Sequence, residues 1–224
     1  EDGILVQSEK LLVAAGRKIV LNKLKLDNAG VQFSNKGIGV DSKYRTSVSH
    51  IYAVGDCNGK MLFTHAAMHQ GMFAIMNAVS PWRAFKYKNY VVPWTVFTEP
   101  QVSYVGLKEE EMKKKGIKYQ VYTARYEDYG AAIAENVGIG YVKIFANGWG
   151  RVFGAIIMGD GSGEMINEWA MIIQKKINLI SVLFLAHSFP TMGFLTKRVA
   201  EQWMMKKMEN SLVKNICRFL YRHI

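Results

Sequence analysis

Cysteine and proline are both scarce in this chain of 224 residues, which contains two cysteines and four prolines. Two cysteines, Cys57 and Cys217, cannot build a framework of disulfides, and such low usage favours a reducing compartment, so we expect a cytoplasmic location. Long apolar runs are also missing. The run VLFLA at 182–186 is far shorter than the roughly 20 residues that a helix needs to cross a bilayer. The sequence therefore argues against a disulfide-stapled fold and contains no apolar segment of spanning length.

Acidic residues are few relative to basic ones, with 18 aspartates and glutamates against 29 lysines and arginines and a formal net charge of +11. An excess of this kind can indicate an anionic partner such as nucleic acid or a membrane surface. No nucleic-acid-binding motif accompanies the charge, so we favour a basic enzyme surface and expect no nucleic-acid partner. Apolar residues make up 50% of the chain, which is enough for a sizeable core in one or two domains.

The most informative segment joins an apolar run to a helix through a turn that carries one acid. Residues 51–54 are apolar and bounded by turn residues, as in a buried strand, and Gly55 lets the backbone approach a ligand closely. Asp56 can accept hydrogen bonds from sugar-type hydroxyls, and a helix starting near Thr64 directs its unpaired N–H groups to the same place. The segment predicts a flavin or nucleotide site, unless Asp56 and Thr64 merely cap the turn and the helix.

This segment, residues 46–71, resembles the second FAD-binding motif of the pyridine nucleotide-disulfide oxidoreductases, the family of glutathione reductase, lipoamide dehydrogenase and mercuric reductase. Three further segments follow in that family's order: LLVAAGRK at 11–18, VFTEPQVSYVGL at 96–107 and GYVKIFANGWGRVFGAIIMGDGSGEMINEWAMII at 140–173. The resemblance runs to about Met205. It implies an α/β fold in which the end of a FAD/NAD(P)-binding Rossmann-like region precedes an α+β interface (dimerisation) domain, and it implies a homodimer.

The resemblance divides the chain into four parts. They are the end of the NAD(P)-binding domain (1–19), the C-terminal part of the FAD-binding domain (20–90), the dimerisation domain (91–205) and a basic amphipathic tail (206–224). The family's two glycine-rich GxGxxG motifs and its redox pair CxxxxC do not occur in these 224 residues. We expect them upstream, which would make this chain the C-terminal portion of a longer FAD-dependent NAD(P)H oxidoreductase. In this form the chain alone would be inactive, and the alternative function is that of a non-catalytic dimerisation module.

Family membership would also assign cofactor contacts. Gly16 of the AxGR motif would lie against the nicotinamide of NAD or NADP, and Asp56 would hold the ribityl chain of FAD. The helix start would meet the flavin ring and stabilise the negative charge that develops on reduction at N1 and the C2 carbonyl. The cofactor-binding candidates are Gly16, Gly55, Asp56, Leu62, Phe63, Thr64 and His65. The family's pattern of arginine, any residue, proline and asparagine is not kept at residues 17–20, which read RKIV.

A second departure lies in AHSFPTMGFLTK at 186–197, where the family carries HPTxxE. When the two patterns are aligned on Pro190 and Thr191, Phe189 occupies the position of the family's proton-transferring histidine. Phe194 occupies the position of the glutamate that orients it. Phenylalanine cannot transfer a proton, so we assign no catalytic residue here. Mercuric reductases carry tyrosine at the histidine position but keep the glutamate. The electron acceptor can therefore be a thiol, a disulfide or a metal. The enzyme would be mercuric-reductase-like or a divergent relative of lipoamide dehydrogenase.

His187 is the nearest residue that could substitute for the missing histidine, although a lone histidine is more often structural. The resemblance also implies a cis bond between Phe189 and Pro190. His65 and His69 are four residues apart on one face of a helix, but no third ligand accompanies them, so we predict no metal site.

Local patterns predict the secondary structure of the second half. Strands VVPWTVFT (91–98) and GYVKIF (140–145) are expected to pair with RVFGAIIMG (151–159), with NGWG (147–150) as a hairpin turn. GLKEEEMKKKG (106–116) predicts a charged surface helix, and GSGEMINEWAMIIQKKI (161–177) predicts a helix with an apolar stripe. That stripe consists of Met165, Ile166, Trp169, Ile172 and Ile173.

The tail predicts a basic amphipathic helix. Its apolar residues Leu212, Val213, Ile216, Phe219 and Leu220 recur at helical spacing, and Lys214, Arg218 and Arg222 occupy the other face. Such a helix can pack against the partner subunit or lie on an anionic membrane, and we favour packing because terminal helices usually complete a core or an interface.

Overall fold

The structure is a computed structural model that describes residues 3, 5–80 and 90–221. The chain forms two compact units, Glu1–Lys88 and Asn89–Ile224. Residues before 20 belong to the first unit together with the segment that follows them, and the helix Phe194–Met208 runs across the boundary expected at residue 205. Arg222 and residues 81–89, together with the side chains of Leu212 and Ile216, lie outside the part that is described.

The first unit contains few regular elements. Three short 3-10 helices cover Asn22–Leu24, Leu26–Ala29 and Gly55–Asn58, a minimal hairpin pairs β1 (Phe33–Ser34) with β2 (Gly37–Ile38), and one long helix, α1, covers Thr64–Val79. Leu21, Val31, Ile38 and Ala53 form its small apolar core. The core lies beside the Gly55–Asn58 turn because Ala53 leads directly into it.

Two strands expected in this unit are not formed among the described residues. Residues 51–54 contain a single antiparallel bridge, between Tyr52 and Arg45, and the segment LLVAAG has no ladder partner. Leu11 and Leu12 are 83% and 90% exposed. An apolar segment becomes a strand only when a neighbouring segment completes its backbone hydrogen bonds, and pattern alone does not supply that neighbour.

The second unit is built on a five-stranded antiparallel sheet. Its strands are β3 (Trp94–Val96), β4 (Val102–Gly106), β5 (Gln120–Arg125), β6 (Tyr141–Ala146) and β7 (Val152–Met158), in the order β3-β4-β7-β6-β5. The expected hairpin of β6 and β7 is confirmed, with the amide of Gly150 donating to the carbonyl of Asn147 at 3.0 Å. The expected pairing of VVPWTVFT with β7 is wrong, because β4 lies between them.

Six helices of the second unit complete its described part: α2 (Glu109–Lys114), α3 (Gly130–Ala134), α4 (Ser162–Lys175), α5 (Leu179–Phe184), α6 (Phe194–Met208) and α7 (Ser211–Tyr221). The stripe predicted for α4 is confirmed: Met165, Ile166, Trp169 and Ile172 are buried and Ile173 packs against them. The predicted charged helix is α2, where Lys113 and Glu109 form an ion pair at 3.0 Å. No helix of the described residues has the length and apolarity to cross a membrane.

Candidate functional site

Two buried amide side chains hold the turn that carries Asp56. Gln70, on α1, is 1% exposed, and its Oε1 accepts from the Gly55 amide at 2.8 Å and from Nδ2 of Asn58 at 2.7 Å. The same Asn58 amide donates to the carbonyl of Ala53 at 3.1 Å. These bonds tie both ends of the turn to one residue of the helix. The position of Asp56 relative to α1 is therefore fixed by the interior of the unit.

Gly55 is required by both its conformation and its surroundings. Its φ of +78° lies in the left-handed region, and a Cβ atom there would approach the Cβ of Ala67 to 3.1 Å. Within the described residues, helix α1 approaches Gly55 closely, and the approach of a ligand at this glycine stays a prediction.

The Asp56 carboxylate is engaged by Arg17, which the sequence did not single out. Nη1 of Arg17 lies 3.2 Å from Oδ2 of Asp56, and Nη2 donates to the carbonyl of Leu62 at 2.7 Å. The Asp56 side chain remains 47% exposed, so it can still accept hydrogen bonds from a ligand. The guanidinium links the acid to the entry of α1. Arg17 is the arginine of the AxGR motif, and that motif was the sequence feature that could have pointed to this contact.

The start of α1 is open. Phe63 occupies the N-cap position in extended conformation, and no side chain caps the helix. Thr64 is the first helical residue and is exposed, so the alternative in which it caps the helix is wrong. His65 is also exposed, and its ring stacks on that of Phe63 with the centroids 5.4 Å apart. An uncapped N-terminus carries partial positive charge, which can stabilise an anionic group.

Arg17 therefore connects the Asp56 turn to the start of α1, where Thr64 and His65 are exposed. Together these elements offer a half-exposed carboxylate for hydroxyl groups and, at the helix start, backbone donors for developing negative charge. Both features match the polar edge of a flavin with its ribityl chain, so the residues present fit this cofactor. The alternative in which the Asp56 side chain caps its own turn is wrong, because that side chain pairs with Arg17 and the backbone carbonyl of Asp56 closes the turn onto Gly59.

Other reactive side chains near the turn serve the fold. The Cys57 thiol donates to the carbonyl of Val54 at 3.1 Å, and burial raises its pKa, which keeps it protonated. Burial lowers the pKa of His69, whose ring lies 4.7 Å from that of Phe73. Within the described ranges, no group of three or more His, Cys, Asp or Glu side chains could hold a metal ion.

In the second unit, Phe189 and Phe194 lie against each other. Their ring centroids are 5.3 Å apart at an interplanar angle of 75°, and Tyr129 stacks on Phe194 at 6.1 Å. The Tyr129 hydroxyl donates to the carbonyl of Thr191 at 2.9 Å, and the Phe189–Pro190 bond is cis. The two aligned positions thus face one another, as a hydrogen-bonded histidine and glutamate would, but aromatic side chains occupy both.

His187 is held inside the unit. Its side chain is 8% exposed, with Nε2 at 3.0 Å from Oε1 of Glu168 and Nδ1 at 3.2 Å from the carbonyl of Leu185. Phe189, in contrast, is 68% exposed. With both ring nitrogens engaged by the fold, the arrangement favours a structural role for His187 over proton transfer at the exposed position.

Two sequence profiles of one family match most of the chain. The pyridine nucleotide-disulphide oxidoreductase profile matches residues 1–71, and the profile of that family's dimerisation domain matches residues 92–198. The chain belongs to the pyridine nucleotide-disulphide oxidoreductase family. Membership implies FAD and NAD(P) as the family's cofactors, and the second profile coincides with the sheet unit described above.

Curated relatives of the family include two bacterial proteins named dihydrolipoyl dehydrogenase. The one from Buchnera aphidicola is 32% identical over 187 residues, which make up 83% of this chain and 39% of the relative. The one from Vibrio parahaemolyticus is 33% identical over 206 residues, or 86% of this chain and 43% of the relative. The chain thus spans less than half the length of these relatives.

Solved structures agree with this fold. The HOCl-induced flavoprotein disulfide reductase RclA from Escherichia coli matches with a TM-score of 0.76 and 25% identity, covering 84% of this chain and 44% of that protein. LpdA from Mycobacterium tuberculosis matches with a TM-score of 0.74 and 24% identity, covering 81% and 40%, and supports the fold alone.

Proposed function

We propose that this chain is part of a flavoprotein oxidoreductase that passes electrons from NAD(P)H through FAD to a thiol, disulfide or metal acceptor. The observation that carries the proposal is the Asp56 turn, which is fixed by Gln70 and placed beside the uncapped start of α1. Family membership supports the same activity. We also propose a cytoplasmic location, on the basis of the low cysteine content.

Each part of the turn has a distinct task in this proposal. Asp56 would accept hydrogen bonds from ribityl hydroxyls, and Arg17 orients the carboxylate through its contact at 3.2 Å. The backbone amides that follow Phe63 would hold the polar edge of the flavin ring and would stabilise the negative charge that develops there on reduction. FAD, when bound, supplies the capacity to take up a hydride and release electrons singly or in pairs. Gly16 is proposed to lie against the nicotinamide.

The acceptor is narrowed by the aromatic pair in the second unit. Phe189 and Phe194 are in ring contact and neither can donate or accept a proton. We propose an acceptor whose reduction does not depend on a histidine–glutamate pair, in a mercuric-reductase-like or divergent lipoamide-dehydrogenase-like enzyme. Relatives named dihydrolipoyl dehydrogenase and a neighbour titled disulfide reductase support the family activity but leave this acceptor a proposal.

A homodimer formed through the second unit is the proposed assembly. The match of residues 92–198 to a dimerisation domain supports it. The alternative function, a non-catalytic dimerisation module, applies to the chain by itself and predicts a dimer without flavin.

The test removes the charge of Asp56 in the protein that contains this chain. Asp56→Asn should lower the flavin content and weaken FAD binding about 10- to 100-fold, because a hydrogen bond to a charged group contributes roughly 1.5–3 kcal/mol. Flavin absorbance of the purified protein and NAD(P)H-dependent dye reduction measure the effect. Asp27→Asn is the matched control, because Asp27 is an exposed acid of the same unit.

Two outcomes would contradict the proposal. Equal flavin retention in the Asp56 and Asp27 variants would show that the turn does not hold the cofactor. A colourless protein that neither binds added FAD nor oxidises NAD(P)H would favour the dimerisation module.

A further inference from the structure

A basic and aromatic surface lies at the C-terminal end of the second unit. It comprises Trp149 in the β6–β7 turn, Lys206 and Lys207 at the end of α6, and helix α7, and we call it the tail surface. All of it except Trp149 lies beyond residue 198, where the dimerisation-domain profile ends. From residue 202 to the end, the sequence contains five lysines and arginines and one acid, Glu209.

Trp149 is held in an exposed position by a rigid turn. The side-chain oxygen of Asn147 accepts from the amides of Trp149 and Arg151 at 3.0 and 2.9 Å, and the Asn178 amide group donates to the Trp149 carbonyl. Gly150 adopts a φ of +82°, and a Cβ atom there would lie 2.6 Å from Oδ1 of Asn178. Despite these constraints, Trp149 remains 79% exposed. The fold therefore presents a large aromatic ring to solvent in a fixed place.

The two lysines lie over aromatic rings. The ammonium of Lys207 is 5.4 Å from the ring centroid of Trp149 and 5.1 Å from that of Trp203, and that of Lys206 is 5.7 Å from Tyr122. Among the residues that the structure describes, neither ammonium forms an ion pair with a carboxylate. Cations of this kind remain available to an anionic partner.

Helix α7 adds apolar side chains beside these cations. Val213 lines a groove of about 640 Å³ together with Trp149 and Trp203. Farther along, Phe219 and Leu220 are 63% and 55% exposed. Lys214 and Arg218, four residues apart, occupy the polar face. Among the described apolar side chains of α7, Val213 lies in the groove, while Phe219 and Leu220 keep more than half of their surface exposed.

We propose that the tail surface binds the surface of an anionic lipid bilayer. A helix with an apolar face, a basic face and neighbouring aromatic residues is the arrangement that lies in the plane of a membrane interface. With 11 residues, α7 is about 16 Å long, which is too short to span a bilayer but long enough to lie on one.

Charge argues against a second copy of the chain as the occupant. A two-fold contact through this surface would place Lys206, Lys207, Lys214 and Arg218 of one copy near the same cations of the other, with Glu209 as the one acid of the segment. An anionic bilayer complements these cations. The sequence pattern favoured packing for this helix. Phe219 and Leu220 are exposed in the single chain, and the repulsion between the two sets of cations is the argument that favours a bilayer over the partner subunit.

Vesicle flotation of the intact chain tests the proposal. We expect binding to vesicles of phosphatidylcholine mixed with phosphatidylglycerol at low salt, weaker binding at high salt, and little binding to phosphatidylcholine alone. Each basic residue near an anionic membrane strengthens binding about fivefold, so Lys214→Gln with Arg218→Gln should weaken it about 30-fold. The control, Lys114→Gln with Lys115→Gln, makes the same change in net charge on exposed residues of the α2 region.

The apolar contribution is tested in the same way. Phe219→Ser with Leu220→Ser should weaken vesicle binding at least tenfold, whereas Ile133→Ser with Ile139→Ser, at residues 62% and 73% exposed, should not. Circular dichroism checks that helix content is kept. Tryptophan emission should shift to shorter wavelength on binding, and Trp149→Phe should remove most of that shift.

Three results would overturn the proposal. One is equal binding to neutral and anionic vesicles, and another is an equal loss of binding in the tail variants and their controls. The third is a change of oligomeric state in the Phe219 and Leu220 variant without lipid, combined with unaltered vesicle binding, which would assign this face to a protein interface.

Discussion

Replacing Gln70 with leucine should destabilise the first unit by removing the acceptor that fixes the Asp56 turn. Leucine is similar in size and keeps the site filled, but the Gly55 amide loses its acceptor at 2.8 Å, and the side-chain NH2 group of Asn58 loses one of its two acceptors. Leaving a buried donor unpaired costs about 1–3 kcal/mol. One donor would lose its only acceptor and the other would lose one of two. We therefore expect the free energy of unfolding to fall by about 2–4 kcal/mol, a large share of the stability of a small unit.

The assay must separate the two units. Four of the five tryptophans lie in the second unit, so tryptophan fluorescence during urea unfolding reports mainly on that unit. Hydrogen exchange of peptides that contain Gly55 and Asn58 reports on the first. Gln70→Leu should accelerate exchange at the turn by about 30-fold or more and leave the fluorescence transition unchanged. The matched control is Gln7→Leu, at an exposed residue of the same unit. Exchange rates at the turn within about twofold of the control would refute the argument that Gln70 fixes it.

Two further predictions concern the second unit. Burial raises the pKa values of Tyr104 and Tyr126, so the stability that they contribute is complete below pH 10.0, the ordinary value, and is lost at higher pH as the unfolded chain ionises. Tyr126→Phe should therefore make the free energy of unfolding, measured by urea titration, fall less steeply with pH above that value. An unchanged dependence on pH would contradict the prediction. In the protein that contains this chain, Phe189→His with Phe194→Glu should raise disulfide reductase activity about 10- to 100-fold if that position limits proton transfer. Phe184→His, at another exposed phenylalanine, should not raise the activity, and equal rates in both variants would contradict the prediction.

Sequence patterns predicted the elements whose signals are local. The stripe of α4 recurs at helical spacing from Met165 to Ile173, the Glu109–Lys113 ion pair of α2 joins residues four apart, and the four turn residues indicate the β6–β7 hairpin. In each case the residues that interact are close in sequence. Such patterns determine an element before its neighbours are known.

Pairings between distant segments were not predictable in this way. The apolar pattern of VVPWTVFT indicated a strand, but it could not show that β4 would separate it from β7. The Arg17–Asp56 contact joins residues 39 positions apart, and the Gln70–Gly55 bond joins residues 15 apart. Both contacts depend on how extended segments and turns fold back in three dimensions. The spacing of apolar residues along the sequence does not predict that path.

The aromatic pair in the second unit connects the fold to the choice of acceptor. Phe189, Phe194 and Tyr129 form a cluster of mutually contacting rings, and each such pair contributes about 0.5–1.5 kcal/mol beyond burial. The positions therefore serve packing, and His187 is committed to Glu168 and the Leu185 carbonyl. Reducing a disulfide to two thiols consumes two electrons and two protons, whereas reducing a metal ion requires electrons alone. We therefore propose, among the acceptors considered above, a metal ion, or a disulfide whose protons come from another part of the protein.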